Sequence, residues 1–500
     1  MSPRRAPAAA RPVRPVEADP VPPVLTVGVP RLTAGLDEYG RLDLDAHRRV
    51  HGGLPALTAG ELIALAEAID LRGRGGAGFP FAGKARAVLD SCRRNSAPPV
   101  IVVNATEGEP ASWKDKALLT RAPHLILDGA ALAAVALRAK EIVVGIADDG
   151  VGARSIAAAL AERRMPVPAR VVTVPHRFIS GESGALVRGI NGEAHIPPGR
   201  KVRASDRGVL GLPTLLSNAE TVAQLAIAVR LGPWEYAAAG LPGEPGTVLL
   251  TVGGSAVTPA VVECPSGTPL AGVLAMCGAD TGPGILVGGY HGKWIRADAA
   301  ATANLSRRGI AEAGGTFGAG MILPIGPATC PLGEVARVVE YLAGESAGQC
   351  GPCRLGLPAL ARSVTLVAAG GGAIDAVRAA AATVRGRGAC GHPDGTARFA
   401  LSALEVFQRD AEAHASGEGC GKPVRGILPL PFRTDRGART LVVDWTRCDG
   451  HGLCSAVAPE IIRLDPNGFP AVPQTPLPPW LENGARRAVN VCPALALRLS

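Results

Sequence analysis

Hydrophobic and polar positions along this 500-residue chain divide it into segments of different secondary structure. Between about residues 50 and 240, short apolar runs at 99–104, 141–146 and 170–174 alternate with helical periodicity at 114–137 and 152–164. Strands that alternate with helices are typical of an α/β layer with a largely parallel sheet. We therefore expect residues 26–243 to form an α/β domain.

The pattern changes three times after this segment. Residues 244–326 contain short β runs, and we expect a small β-rich module there. Residues 327–416 lack strand patterns and carry Ala, Leu and Val at helical spacing, which predicts a helical bundle. A linker with Gly and Pro, residues 417–437, leads to a last domain at 438–500.

Composition limits the class of protein. Residues 1–25, rich in Pro, Ala and Arg, are expected to form a flexible basic arm that lacks the apolar core of a signal peptide. The sequence contains no run of about 18 apolar residues, so we expect no membrane span. The net charge of +9 is modest and no nucleic-acid-binding motif accompanies it, so we expect no nucleic-acid partner. The 11 cysteines cluster in the C-terminal third, which favours cluster ligands in a reducing cytoplasm over a disulfide framework.

Three cysteines of the last domain have a spacing that suits an iron–sulfur cluster. Cys448 and Cys454 lie on a loop with two glycines, and Cys492 precedes Pro493. Thiolates are the ligands that iron clusters prefer, and a tight loop can bring several of them together. A zinc knuckle is the alternative, but the six-residue spacing and the Cys-Pro pair argue against it. The domain is therefore predicted to carry electrons.

A glycine-rich run at residues 73–78 precedes a predicted helix that begins near Lys84. Four glycines in six residues allow the backbone to approach a phosphate, and a helix N-terminus supplies N–H groups and a favourable dipole. The spacing fits neither the usual dinucleotide fingerprint nor a Walker loop. A glycine-rich surface turn is therefore an equally good interpretation.

A polar run follows the predicted strand at 99–104. Asn104, Glu107 and Glu109 lie at its C-terminal end, which is where open α/β sheets bind ligands. An amide and two carboxylates there could bind a flavin edge or a ribose, and surface acids on a loop are the alternative. Further polar runs occur at residues 181–183 and 213–221.

In this order, the runs resemble the NADH-oxidising flavoprotein subunit of respiratory complex I and its relatives in soluble hydrogenases and formate dehydrogenases. The resemblance covers about residues 50–415 and is most specific in the glycine run and in residues 104–115. It implies a Rossmann-like FMN and NADH domain, then a ubiquitin-like β-grasp module, then a helical bundle that holds a [4Fe-4S] cluster. This order agrees with the changes of pattern described above.

The resemblance also implies roles for individual residues. The FMN cradle would consist of Gly73, Arg74, Gly75, Gly76 and Lys84. The same pocket would be lined by Asn104, Gly181, Glu182, Asn218 and Thr221. Glu109 would lie near the nicotinamide and, with Glu182, act in catalysis, while Phe79 would stack on the NADH adenine.

Three positions depart from the family pattern. Thr106 replaces an acid, Ser183 replaces a glutamate, and Arg203 stands where an aromatic residue usually sandwiches the adenine. Arg203 could still stack on adenine, or it could pair with the 2′-phosphate of NADPH. NADH and NADPH both remain candidate substrates.

The bundle motif departs further. The implied cluster ligands are Cys350, Cys353 and Cys390, and Ala347 replaces a fourth cysteine of the family. The bundle could hold a [3Fe-4S] cluster, a [4Fe-4S] cluster with a substitute ligand, or no cluster. Candidates for a substitute ligand are Ser346, Cys330, His392 and Cys420. Buried structural thiols or a zinc site are the alternative.

The last domain resembles the small [3Fe-4S] ferredoxins of actinobacteria, many of which serve cytochromes P450. Cys448, Cys454 and Cys492 match the cluster ligands of these ferredoxins. His451 occupies the position that is a second cysteine in four-iron relatives. The resemblance implies a [3Fe-4S] cluster with that corner empty, and weak binding of a fourth iron by His451 is the alternative.

Together these features predict a flavin-dependent NAD(P)H oxidoreductase. Electrons would pass from FMN through the clusters to the fused ferredoxin domain, then to an external acceptor protein such as a cytochrome P450 or another redox subunit. An alternative is an FMN and iron–sulfur subunit of a larger complex that does not itself oxidise NAD(P)H. A basic nucleic-acid-binding protein with a structural cluster has the least support.

Overall fold

The computed structural model describes residues 21–148, 150–199, 202–431, 440–472, 477 and 481–499. Most of the expected arm and residues 432–437 of the expected linker lie outside these ranges. The elements of the first segment are β1 (Val24–Thr26), α1 (Leu44–His51), α2 (Ala59–Ala68), α3 (Phe81–Asn95), β2 (Val100–Ala105), α4 (Lys114–Arg121), α5 (Pro123–Leu137), β3 (Glu141–Ala147), α6 (Ala153–Glu162), β4 (Ala169–Val174), α7 (Ser183–Ile190), β5 (Thr214–Asn218) and α8 (Ala219–Ala237).

The expected parallel sheet is present in this segment. Its four strands lie in the order β4-β3-β2-β5 and every neighbouring pair is parallel. Alternate residues of β2 enter different hydrophobic clusters, because Ile101 and Val103 face one side of the sheet and Val100 and Val102 face the other. Burial on both faces explains why the strand is a continuous apolar run.

The apolar stretch at 114–137 forms two helices, α4 and α5. Pro123 begins α5, and the two helix axes differ by 94°. Among the described residues, no single helix is long and apolar enough to cross a membrane, and these two satisfy the length and composition test only as a bent pair. Both helices are largely buried within the protein.

The second segment contains a mixed six-stranded sheet. The elements of this segment are β6 (Gly240–Leu241), β7 (Glu244–Pro245), β8 (Thr247–Val252), β9 (Ala260–Pro265), α9 (Leu270–Met276), β10 (Gly284–Val287), β11 (Lys293–Arg296), α10 (Ala297–Thr302), α11 (Arg307–Glu312) and β12 (Met321–Pro324). Strands β6 and β7 form a separate two-stranded sheet. The strand order of the six-stranded sheet is β1-β9-β8-β12-β10-β11. The six-stranded sheet therefore includes β1, so Val24 and Leu25, which the composition placed in the arm, are part of a strand.

The third segment is a helical bundle, as expected. It consists of α12 (Pro331–Gly344), α13 (Leu357–Ala368), α14 (Ile374–Val384), α15 (His392–Val406) and α16 (Gln408–Ala415), with a π-helical turn at Pro352–Gly356. A shared hydrophobic cluster joins the bundle to residues of the second segment, including Tyr290 and Trp294.

The last segment has a hydrophobic cluster of its own. Its elements are β13 (Leu441–Val443), α17 (Leu453–Val457), β14 (Arg463–Leu464), β15 (Pro470–Ala471), α18 (Glu482–Val491) and β16 (Leu497–Leu499). Strands β13 and β16 pair antiparallel, which brings the two ends of the segment together. The chain is thus a mixed α/β multidomain protein, and the domain boundaries given above stay predictions.

A buried carboxylate fixes the chain that leads from β1 into the α/β segment. Glu263 on β9 is fully buried and accepts hydrogen bonds from the backbone N–H groups of Arg31, Leu32 and Thr33, at 2.9–3.1 Å. It also accepts bonds from the hydroxyls of Thr33 and Thr247. A buried charge of this kind is stable only because several donors surround it.

We expect Glu263→Ala to lower the free energy of unfolding by about 3 kcal/mol or more, because three backbone N–H groups, two of them buried, lose their acceptor. The exposed residue Glu38 provides the control, and Glu38→Ala should change stability little. Thermal and denaturant unfolding of the two variants measure the difference. Equal stability of both variants would contradict this role for Glu263.

Candidate functional site

The C-terminal ends of two parallel strands bring the first candidate residues together. In the register between β2 and β5, Asn104 lies directly opposite Asn218. Asn218 is the N-cap of α8 and accepts a hydrogen bond from the backbone N–H of Glu220. The sheet edge and a helix N-terminus therefore meet at one point, which is the arrangement in which α/β proteins bind phosphates.

The glycine run lies against this helix N-terminus. The backbone N–H of Arg74 donates to the hydroxyl of Thr221 at 2.9 Å. Gly75 is packed so closely that an added Cβ would lie 3.2 Å from the Cβ of Asn218. Gly76 has a φ of +114°, a conformation that residues with a side chain rarely adopt. The structure thus brings Arg74, Gly75, Asn218 and Thr221 into one cradle, as the resemblance implied.

Lys84 and Phe79 lie at the side of the cradle. The Lys84 ammonium donates to the carbonyl of Leu216 at 3.2 Å and lies 6.0 Å from the centre of the Phe79 ring. Burial lowers the pKa of Lys84. The Phe79 side chain is 55% exposed, so an aromatic face is available to a ligand from solvent.

The polar residues after β2 are linked to the loop before α7. The Asn104 amide donates to the carbonyl of Gly181 at 2.9 Å, and the Thr106 hydroxyl donates to the Asn104 side-chain oxygen at 2.8 Å. Glu182 caps α7 by accepting from the backbone N–H of Ala185 at 2.9 Å. Thr106, which departs from the family pattern, therefore orients the Asn104 amide.

The two carboxylates after β2 have different environments. Glu107 accepts from the Ser112 hydroxyl and from the backbone N–H groups of Asp115 and Lys116, so it caps α4. Glu109 accepts one bond, from the backbone N–H of Tyr290 at 3.1 Å, while its Oε1 is buried with no partner among the described residues. Burial raises the pKa of Glu109 to about 8. Glu109 therefore has one buried carboxylate oxygen without a partner among the described residues, whereas Glu107 is bound to the start of α4.

A buried charge network beneath the cradle was not predicted from the sequence. The Lys114 ammonium lies 2.8 Å from Asp115 Oδ1 and 2.9 Å from Glu220 Oε2. The other Asp115 oxygen accepts from the Asn218 amide, and Glu220 Oε1 lies 3.9 Å from the Nε of Arg74. Burial opposes the charge of Lys114, but the nearby carboxylates of Asp115 and Glu220 raise its pKa. The only sequence signal for this network was charge inside an otherwise apolar segment.

The three bundle cysteines lie together. Besides burial, the nearby charges of Cys350 and Cys390 raise the pKa of Cys353, so the three thiols are neighbours. Burial raises the pKa of Cys353 to about 12 and also raises that of Cys390. Burial opposes ionisation of Cys350 as well, but the backbone N–H groups of Ala389 and Cys353 lower its pKa. The backbone of Ala347 contacts the Cys353 thiol, so the missing fourth ligand belongs to this same group.

The structure excludes most substitute ligands for this group. Cys330 is the N-cap of α12, whereas Ala347 lies beyond the C-terminus of this 14-residue helix, so the two residues lie at opposite ends of a helix about 21 Å long. The Cys420 thiol lies within 4.8 Å of Cys330 and is equally remote. Both ring nitrogens of His392 are engaged, Nε2 with the Leu342 carbonyl and Nδ1 with His291. Ser346 is the candidate that remains.

The bundle cysteines border the cradle. The backbone N–H of Phe178 donates to the Glu345 carboxylate at 2.9 Å, which joins the loop before α7 to the loop that carries the cysteines. The charge of Glu182 contributes to the raised pKa of Cys390, after burial and despite a backbone hydrogen bond from His392. Residues predicted for FMN and residues predicted for a cluster are therefore neighbours.

The three cysteines of the last segment line one cavity. Cys448, Cys454 and Cys492 surround it together with His451 and Pro493. Gly450 and Gly452 both have a φ of +71°, which lets the loop curl around the cavity. The backbone N–H of Ala496 lies 3.3 Å from the Cys492 sulfur, as expected for a donor to cluster-bound thiolate. The donor set fits an iron–sulfur cluster, and the His451 side chain is exposed.

Comparison with protein families agrees with this geometry. Residues 66–227 match the Nuo51 FMN-binding domain, and residues 333–414 match the NADH-ubiquinone oxidoreductase-F iron–sulfur binding region. Residues 441–499 match a 4Fe-4S single cluster domain. Three family models thus match successive parts of the chain: an FMN-binding domain, an iron–sulfur binding region of NADH-ubiquinone oxidoreductase-F, and a single-cluster iron–sulfur domain. The resemblance drawn from the motifs is confirmed.

Individual relatives support the same assignment. The chain is 29% identical over 417 residues to the NADH-quinone oxidoreductase-F protein of Streptomyces coelicolor, covering 78% of this chain and 92% of that protein. It is 29% identical over 359 residues to the alpha subunit of the NAD-reducing hydrogenase HoxS of Cupriavidus necator, covering 67% of this chain and 58% of that subunit. The crystal structure of an NAD⁺-reducing [NiFe]-hydrogenase in its H₂-reduced state superposes with a TM-score of 0.66 at 27% identity, covering 79% of this chain and 68% of that one.

The cradle and the cluster cysteines fit the groups that the family binds. FMN needs a backbone that approaches its phosphate, and the residues from Gly73 to Gly76 beside the α8 N-terminus provide one. The roles of the individual residues stay predictions, as does the role of Arg203, which is exposed. The family model that matches the last segment describes a 4Fe-4S single cluster domain, and three cysteines of this chain line the corresponding cavity.

We expect Gly76→Ala to weaken FMN binding about tenfold. The reason is that the loop of the variant would relax away from this φ in the free protein, so FMN binding would have to restore it at a cost of about 1–2 kcal/mol, and about 1.4 kcal/mol corresponds to a factor of ten in affinity. Gly53→Ala is the control, since a Cβ at Gly53 meets no atom within 4 Å and its φ is ordinary. Fluorescence titration of FMN into deflavinated protein measures both affinities. Equal affinity of the two variants for FMN would show that the glycine run does not contribute to the FMN site.

Glu109→Gln should alter how stability depends on pH. Between pH 4.5 and about 8 the unfolded chain ionises Glu109 while the folded protein keeps it protonated, so the wild type loses stability as pH rises through this window. Glutamine does not titrate. The variant should therefore gain stability relative to the wild type from pH 5 to 8, and the gain should level off above pH 8. Melting curves at these pH values test this, and a constant difference would contradict a raised pKa.

Proposed function

We propose that the chain oxidises NADH or NADPH at a bound FMN and passes the electrons one at a time, through iron–sulfur clusters, to its own ferredoxin domain and then to an external acceptor. The observation that carries this proposal is the junction between the two loops at Phe178 and Glu345, which places the FMN cradle beside the bundle cysteines. Bound FMN supplies the needed chemistry, since it accepts a hydride and can release electrons singly.

The protein's own residues would bind and orient the reactants. The cradle and the α8 N-terminus would hold the FMN phosphate, and the Asn104 amide, fixed by Thr106 and Gly181, would face the flavin. Glu109, with one oxygen free, would bind near the nicotinamide as a hydrogen-bond donor below pH 8 and as an acceptor above it. Phe79, exposed at the side of the cradle, would stack on the adenine.

The subdivision of the chain is part of the proposal. The six-stranded sheet supports a β-grasp module, because strands β9, β8, β12, β10 and β11 reproduce the order 2-1-5-3-4 when counted from β8. The last segment, with its own core and three cysteines around a cavity, supports a ferredoxin domain with a [3Fe-4S] cluster. In the bundle, three thiolates support a three-iron cluster or a four-iron cluster completed by Ser346 or solvent.

The class of external electron acceptor is proposed from the relatives of this chain. The relatives named above are components of larger redox enzymes, which favours another redox subunit over a cytochrome P450. A reducing compartment, such as the cytoplasm, fits the free thiols of the 11 cysteines. Fusion of the ferredoxin domain keeps an electron carrier at high local concentration near its source.

Anaerobic mixing with NADH or NADPH tests the proposal directly. The flavin absorbance should bleach with the isolated chain, and the chain should then reduce cytochrome c. Cys448→Ser should abolish cytochrome c reduction while the flavin still bleaches, because the ferredoxin domain lies after the flavin in the electron path. Cys92→Ser, at a half-buried cysteine outside both cysteine groups, is the control and should behave like the wild type.

Two outcomes would contradict the proposal. A flavin that bleaches only in the presence of a co-purifying subunit would support the alternative, an FMN and iron–sulfur subunit that receives electrons from a partner. Unchanged cytochrome c reduction by Cys448→Ser would show that electrons leave without the ferredoxin domain. Iron and sulfide analysis with low-temperature EPR spectroscopy would then distinguish three-iron from four-iron clusters.

A further inference from the structure

A third group of metal-ligating side chains lies apart from both cysteine groups described above. The Cys330 sulfur is 3.3 Å from Nε2 of His414, and one ligand atom from each of Cys330, His414 and Cys420 lies within 4.8 Å of the other two. Cys330 and His414 are buried and Cys420 is half-buried. None of these residues contacts the FMN cradle in the proposal above, so the group has no role in it.

The spacing suits a tetrahedral zinc ion. Zinc–sulfur bonds of about 2.3 Å and zinc–nitrogen bonds of about 2.0–2.1 Å place neighbouring ligand atoms about 3.6–3.8 Å apart. The observed separations require only small side-chain movements to reach these values. Two thiolates and an imidazole are the ligands that zinc prefers, and they disfavour Mg²⁺ and Ca²⁺, which prefer oxygen.

The three residues come from two separate helices of the bundle and from the linker that follows it. Cys330 is the N-cap of α12, and its sulfur accepts from the backbone N–H of Gly333 at 3.3 Å. His414 lies in the last turn of α16. Cys420 lies beyond α16, in the segment that leads to the ferredoxin domain. A metal ion here would tie that segment to the start of α12.

A neighbouring carboxylate already holds the same segment. Glu334, one turn into α12 and fully buried, accepts from the backbone N–H groups of Arg425, Gly426 and Ile427 at 2.6–3.2 Å. The chain is thus fixed at residues 425–427 by Glu334 and would be fixed at Cys420 by the metal. Both anchors lie in the first part of the linker, residues 417–437, that connects the bundle to the last domain.

We propose that Cys330, His414 and Cys420 bind one Zn²⁺ ion that anchors the connection between the bundle and the ferredoxin domain. Water would take the fourth position, because Cys420 is half-buried and leaves one side of the group open to solvent. The ion is separate from the bundle cluster, since about 21 Å of helix α12 lies between them. Zinc binding at this group would not depend on the proposed oxidation of NADH.

Metal analysis of the full chain tests the proposal. Protein purified under reducing conditions from zinc-supplemented cultures should contain one zinc ion per chain in addition to its iron. Cys420→Ser and His414→Asn should each lose the zinc and retain FMN and iron, whereas Cys92→Ser should retain all three. Protein with cobalt in place of zinc should show thiolate-to-metal charge-transfer absorption, and Cys420→Ser should lose it.

Three results would overturn the proposal. The first is a wild-type chain without zinc, or with a Cys330–Cys420 disulfide found by mass spectrometry of the reduced preparation. The second is an unchanged zinc content in both ligand variants. The third is a changed EPR spectrum of the bundle cluster in Cys420→Ser, which would make Cys420 an iron ligand. If Cys420→Ser failed to fold, His414→Asn with the cobalt spectrum would decide between zinc binding and its absence.

Discussion

The register between strands β2 and β5 is the constraint on which the candidate site depends. It places Asn104 opposite Asn218 at the C-terminal edge of the sheet, and Asn218 in turn begins α8. A shift of either strand by one residue would turn its asparagine to the other face of the sheet and separate the two amides. The buried Lys114 stabilises this edge of the sheet by pairing with Asp115 and Glu220. The cradle is therefore supported by buried ion pairs.

Much of this arrangement was predictable from the sequence, for physical reasons. The parallel sheet could be foreseen because its central strands β2 and β3 are buried on both faces and are therefore continuous apolar runs. The cysteine groups could be foreseen because cluster ligands have characteristic spacings. The different environments of Glu107 and Glu109 could not be foreseen, because both residues follow the same strand. Only the structure shows that Glu107 caps a helix and Glu109 does not. The pairing of β1 with β9 and the Cys330 group depend on contacts between residues far apart in the chain.

The position of the bundle beside the cradle explains how one chain could combine flavin and cluster chemistry. The loop that orients Asn104 through Gly181 also contacts the cysteine-bearing loop through Phe178. The missing cysteine at Ala347 changes the ligand set but not this neighbourhood. A fused ferredoxin domain would then shorten the search for the next carrier, and its effect depends on how the connecting segment is held.

Freeze-quench EPR spectroscopy of the isolated chain after anaerobic mixing with NADH or NADPH tests the central claim most directly. We expect flavin reduction to be followed by a change in the iron–sulfur signal of the ferredoxin domain, without any added protein. A chain that binds no FMN, or whose iron–sulfur signals do not respond to either nucleotide, would contradict the proposed electron path.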